Sequence, residues 1–282
     1  MRRSAPARLL INGFMLLLIL IWTVPTIGLL ITSLRTRDAG RSSGWWSVIT
    51  DPGSAGFTTQ NYVDVATSGG IVNAFLNSLT VTIPATVIPI LIAAFAAYGF
   101  AWMRFPARTL LFAAVVGLLV VPLQISLIPI LRDYVALDLN GTFLAIWLAH
   151  TGFGLPLATY LLYNYISELP RDILESAFID GASHFTTFLR LILPLSIPAL
   201  ASFAIFQFLW VWNDLLVAIT FLGTSQDVTV LTSQLVNLIG ERGERSHLLT
   251  AGAFLAMALP LVVFLSLQRY FVRGLLAGSV KG

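Results

Sequence analysis

The chain has no cysteine among its 282 residues, which removes disulfides, thiolate metal sites and thiol catalysis together. Its three histidines, His150, His184 and His247, are scattered and do not make a metal-binding set. Charge is scarce as well. Lys, Arg, Asp and Glu make up 10% of the residues, against about 25% in soluble domains, so this is no ordinary soluble protein. A phosphate loop of the GxxxxGK[ST] type is missing, because Gly278-Ser-Val-Lys281 has the wrong spacing. Neither a Ser/His/Asp constellation nor a paired carboxylate site stands out for catalysis. Low basicity in an apolar chain also argues against nucleic-acid binding.

What the chain does have is apolar residues, 57% of the total, with a mean hydropathy of +0.87. Six stretches stand out: Leu9–Thr32, Leu76–Trp102, Leu110–Leu131, Leu144–Tyr165, Leu195–Leu222 and Leu248–Leu267. Each is long enough to cross a hydrocarbon core of about 30 Å, where an isolated segment satisfies its backbone only as a helix. The expected fold is all-α, a polytopic membrane protein with six transmembrane helices, and residues 1–282 form one transmembrane domain. The first stretch follows Arg2, Arg3 and Arg8 as a signal peptide would. Its apolar run is too long for one and no small-x-small site closes it, so it reads as an uncleaved span.

Six spans place both termini on one side. If that side is cytoplasmic, the inside carries Arg2, Arg3, Arg8, Arg104, Arg108, Arg171, Arg190, Arg269, Arg273 and Lys281. The outside carries Arg35, Arg37, Arg41, Arg132, Arg242 and Arg245. Ten against six favours both termini inside, with the trio at 35–41 as an awkward exception. The long outer connection contains Trp45-Trp46, read as an interfacial aromatic pair, and a short surface helix over Thr58–Val65. Tyr160, Tyr163, Asn164 and Tyr165 read as anchors at the inner interface. No internal repeat has convincing register, which counts against a secondary transporter built from inverted halves.

A polar segment interrupts this pattern at Glu168–Pro194. Pro170 suits a helical first turn, and Glu168, Asp172 and Glu175 place negative charge near the positive end of the helix. Ile173, Leu174, Ala177 and Phe178 form one apolar stripe. Gly181 is placed to end the helix in a left-handed conformation, and Ser183 to cap a second helix through His184, Phe188 and Arg190. Pro194 and Pro198 mark the return into the membrane. An ordinary interfacial helix would explain the stripe but not the full helix–Gly–helix elbow.

The spacing of Glu175, Ala177, Gly181 and Leu193-Pro194 resembles the "EAA" loop of ABC importer permeases, with Ser176 and Leu191 as mild departures. Met103-Arg104-Phe105-Pro106, Val121-Pro122-Leu123-Gln124, Trp212-Asn213-Asp214 and the tail Gly274–Gly282 are similar to the second permease subunit of carbohydrate ABC importers. That family includes maltose and α-glucoside systems. The resemblance implies a cytoplasmic coupling loop at about 168–194, with Glu175, Ala177, Asp180, Gly181, Ala182 and Pro194 meeting the ATPase. It implies that the tail from about 268, with Gly278, Lys281 and Gly282, reaches between the ATPase subunits. It further implies an inner-membrane location, a sister permease, an ATPase dimer that uses ATP and Mg, and an extracytoplasmic solute-binding protein. The chain itself would bind no cofactor and be no enzyme.

Polar residues within the spans are the remaining candidates. On a helical wheel Gln207, Trp210, Asn213 and Asp214 fall within about a third of the circumference, and an Asp at mid-span costs about 2.5–3.5 kcal/mol. They read either as a sugar-contacting pathway wall or as a helix contact or hydrated end of the span. Gln124 either fills a hydrogen-bonding gap beside Pro122 or lines the path. His150 reads as a hydrogen-bonded interior histidine. An ion-coupled secondary transporter is the rival class, but it would leave the elbow without a role. The stretch Arg35-Thr-Arg-Asp38 … Ser43-Gly-Trp-Trp46 looks most like α-glucoside permeases, so trehalose, sucrose, maltose or a glucosyl-polyol is the expected cargo. Glycerol phosphate is the alternative, and no basic residue at mid-membrane favours it.

Overall fold

A computed structural model describes residues 5–68, 70–223, 225–239 and 245–277. Among them no named strand occurs, only the isolated bridge Arg35–Phe57. Four helices are long and apolar enough to cross a membrane by themselves: Ala5–Ser33, Ile71–Trp102, Phe143–Ser167 and Ser246–Ala277. Their edges lie within several residues of the expected spans, except that the last helix continues ten residues past Leu267. The other two expected spans are broken.

The third divides into Arg108–Val120 and Leu123–Ala136, bent by 103°. Pro122 lacks an amide hydrogen and pushes Val121 to an extended ψ of 115°, so the first segment stops there. The fifth begins with a 72° bend between His184–Leu195 and Ile197–Trp212. It ends at Trp212, sixteen residues later, and Leu216–Leu222 forms a separate helix. Leu195–Leu222 is therefore not one continuous helix, and the wheel that grouped Asn213 and Asp214 with Gln207 does not extend to them.

The chain separates into two compact units, Met1–Val72 with Gln234–Met257, and Asn73–Ser233 with Ala258–Gly282. In the first unit, Arg35, one of the three arginines that fit the charge count poorly, is held inside its own loop. Its side chain is 1% exposed and donates to the carbonyls of Ala39, Ser43 and Ala55 and to the Ser43 hydroxyl at 2.7–3.1 Å. This guanidinium is a staple for the loop after the first span, not a topological signal at the membrane surface. Asn61 extends the staple by donating to the carbonyls of Ser33 and Arg35, both at 2.8 Å. The surface helix runs over Gln60–Ser68, slightly later than expected. Trp45 is half-buried against the first span, where a Cβ on Gly28 would meet its indole at 2.7 Å, while Trp46 is exposed.

The second unit holds two apolar cores. One gathers Ala145, Ile146, Ala149, Val211, Phe221 and Leu222 with their neighbours. The other packs Ala93, Ala97 and Ala158 with Leu162, Ile166 and Phe203, and it reaches the elbow through Leu174, Phe188 and Ile192. Alanines at these positions let the second and fourth spans approach closely.

The candidate coupling elbow and the polar break in the fifth span

The elbow helix runs over Arg171–Ile179, with Pro170 in the capping position and Asp172 in its first turn. Its end follows from one residue. Gly181 sits at φ +81°, a conformation that costs other residues about 1 kcal/mol or more. The amide of Ala182 then bonds to the carbonyl of Ala177, and that of Gly181 to Phe178, each at 3.0 Å. This paired pattern satisfies the last carbonyls of the helix and gives Ala177, Gly181 and Ala182 a shared structural reason. Asp180 is the exposed residue between helix and glycine.

Ser183 then accepts from the Thr186 amide at 3.2 Å and opens the second arm. That arm includes a π turn over Phe188–Ile192, closed by the Leu193 amide on the Phe188 carbonyl. Pro194 cannot donate to the carbonyl four residues back and crowds it, which favours the wider turn just before it.

The stripe expected on the elbow helix is narrower than its sequence suggests. Leu174 is 1% exposed and Ala177 half-buried, but Ile173 and Phe178 remain exposed. Ile179, outside the expected stripe, is 85% exposed. Periodicity had not assigned this large aliphatic side chain to either face. Glu175 is exposed on the same helix. The inner side of the elbow is tied to the spans by aromatic stacking, Phe95 on Phe188 at 4.2 Å, and by Tyr98 Oη against His184 Nδ1 at 2.9 Å. The tail residues Gly278, Lys281 and Gly282 lie outside the described residues.

The membrane candidates do not form a single face. Gln207 is buried and donates its amide to the carbonyls of Ala85 at 3.0 Å and His150 at 3.4 Å. It joins three spans within this chain. A Cβ on Gly154 would lie 2.7 Å from that amide, so a glycine makes room for it. Trp210 is half-buried and meets His150 edge-on, with ring centroids 4.9 Å apart. Asp214 accepts from the Ala218 amide at 3.1 Å and so caps the helix that follows the break. Asn213 is exposed, its amide folded back on the Leu209 carbonyl. Gln124 is exposed in the first turn after Pro122, with no hydrogen-bond partner among the described residues, so it fills no gap there.

His150 departs from expectation. It is interior, at 0% exposure, but neither ring nitrogen has a hydrogen-bond partner. Its Nε2 stands 3.7 Å from Asp214 Oδ2, beyond a direct hydrogen bond. A cavity of about 10 Å³ beside them is lined in part by Ser78, Thr82 and Thr232, close to the space one water needs.

Residues 4–276 match the family described as binding-protein-dependent transport system inner membrane component. The chain belongs to that family. It is a permease subunit of an ABC importer, a transport component, as the resemblance of the elbow implied. It is 62% identical over 262 residues to the osmoprotective compounds uptake permease protein GgtD of Synechocystis sp., covering 93% of this chain and 88% of the relative. It is 46% identical to the alpha-glucoside transport system permease protein AglG of Rhizobium meliloti, covering 99% of each. A crystal structure of a bacterial ABC transporter involved in alginate import shares the fold, with a TM-score of 0.76 at 18% identity, covering 96% of this chain and 99% of that one.

Proposed function

We propose that this permease pairs with a sister permease to form the path for a neutral α-glucoside that serves as an osmoprotectant, such as trehalose, sucrose or a glucosyl-polyol. The names of the two relatives support this reading, since one takes up osmoprotective compounds and the other α-glucosides. An extracytoplasmic binding protein delivers the sugar. An ATPase dimer, using ATP and Mg, docks on the elbow at Glu175, Ala177, Ile179, Asp180 and Gly181, and both termini face the cytoplasm. The tail through Gly278, Lys281 and Gly282 reaches between the ATPase subunits.

The observation that carries the coupling role is the elbow's two-sidedness. Leu174, Phe188 and Ile192 share a core with the second and fourth spans, whereas Glu175 and Ile179 face outward. A push on the outer face therefore reaches the spans without bending a loop. Within the membrane, Asn213 and Gln124 are the sugar-facing candidates that keep exposed side chains, and Gln207 and Asp214 hold the shape of the fifth span. The test is purification of the chain from its native membrane with its partners, followed by uptake of labelled disaccharides in proteoliposomes. Recovery with an ATPase, a second permease and ATP-dependent α-glucoside uptake is expected. Recovery alone, or uptake driven by an ion gradient without ATP, would contradict the proposal.

A further inference from the structure

The short connection between the second span and the helix starting at Arg108 carries two arginines with little to bind. Arg104 has no hydrogen-bond partner among the described residues, and neither guanidinium has a carboxylate within 4.0 Å among them. Arg108 spends one nitrogen on the Met103 carbonyl at 3.1 Å, which closes the loop and fixes the direction of the guanidinium. Ala107 makes the reversal at φ +59°. Arg104, Phe105, Arg108, Thr109 and Leu110 line one open depression of about 620 Å³, within the roughly 300–1,000 Å³ of small-molecule sites.

The surroundings select the ligand. Leu110 is 70% exposed and Leu111 also faces outward, so the chain turns apolar two residues beyond Arg108. The loop lies at the elbow's end of the bundle. Trp102 donates to the Ile166 carbonyl at 3.1 Å, and Tyr98, one turn earlier, meets His184 of the elbow. We infer that the Arg104–Leu110 depression binds the phosphate of an anionic phospholipid headgroup, with its acyl chains against Leu110 and Leu111. Guanidinium forks match the paired oxygens of a phosphodiester, and basic residues at the membrane surface attract anionic lipid. The cytoplasmic assignment of this leaflet rests on the proposed orientation; the headgroup contact does not.

The test uses the full-length permease with whatever subunits accompany it in mild detergent, stripped of lipid and titrated with phosphatidylglycerol or phosphatidylcholine under native mass spectrometry. Phosphatidylglycerol should bind in preference, weakened about fivefold by Arg104→Gln or Arg108→Gln and about thirtyfold by both. Arg104→Lys/Arg108→Lys keeps the charge but not the forks, so its affinity should fall between that of the unsubstituted chain and that of the double Gln variant, which shows that the loop still folds. Inorganic phosphate binding as tightly as the lipid would assign the site to free phosphate and overturn the lipid part of the inference. Unchanged lipid binding in the double Gln variant would overturn the whole. So would loss of the ATPase subunits from that variant with lipid binding intact, because the arginines would then serve a protein contact. Subunit recovery in the unsubstituted complex is read in the same spectra and reports separately on the importer assignment.

Discussion

The elbow at 171–195 and the break at 213–215 both interrupt apolar sequence with polar residues, yet they use them oppositely. At the elbow Glu175 and Asp180 face outward, and backbone bonds around Gly181 fix the shape. At the break, Asp214 turns toward a buried His150, and its carboxylate fixes the start of the next helix. In the proposed assembly the elbow offers its outer surface to the ATPase, whereas Asp214 at the break is used inside one chain. A mechanical joint needs the first design, because force must enter from outside. A bend within a packed membrane domain can use the second.

Five substitutions, in four experiments, press on this contrast. Gly181→Pro is the most severe, since proline cannot adopt φ +81°. Proteoliposome uptake should fall to background while the chain still inserts and ATP hydrolysis continues; normal uptake would remove the elbow from the coupling path. Leu174→Ala empties the joint between elbow and spans and should cost about 2–4 kcal/mol of stability, read as a lowered thermal midpoint with weaker coupling. At the break, the double-mutant cycle of His150→Leu and Asp214→Ala should give a coupling energy of about 1–3 kcal/mol in thermal unfolding. Strict additivity would mean the two groups do not act together. Ile179→Ser should change stability by less than about 0.5 kcal/mol but reduce retention of the ATPase on a purification column. A large loss of stability there would place Ile179 in the core instead.

The elbow was legible because its signals are local. Pro170, Gly181, Ser183 and Pro194 each act on backbone within a turn, so spacing alone located both arms. Ile179 escaped because a nine-residue helix has too few turns for periodicity to separate its faces. The four continuous spans were legible from length and hydropathy. The break was not, since apolar residues continue past it through Leu222 and hydropathy does not register a stop in a hydrogen-bond ladder. Its partner His150 comes from another span, and no local pattern joins the two. Arg35 misled for a related reason. A charge count treats every arginine as solvated, whereas this one is enclosed by carbonyl and hydroxyl oxygens of its own loop.

The absence of native cysteine makes one direct measurement clean: maleimide labelling of an Ile179→Cys chain in membranes, with and without the ATPase subunits. If the elbow tip is the docking surface, the thiol labels freely in the chain alone and is protected in the assembled complex, with labelling restored when the ATPase is stripped away. Equal labelling in both states would contradict the account, because the outward face of the elbow would then meet no partner.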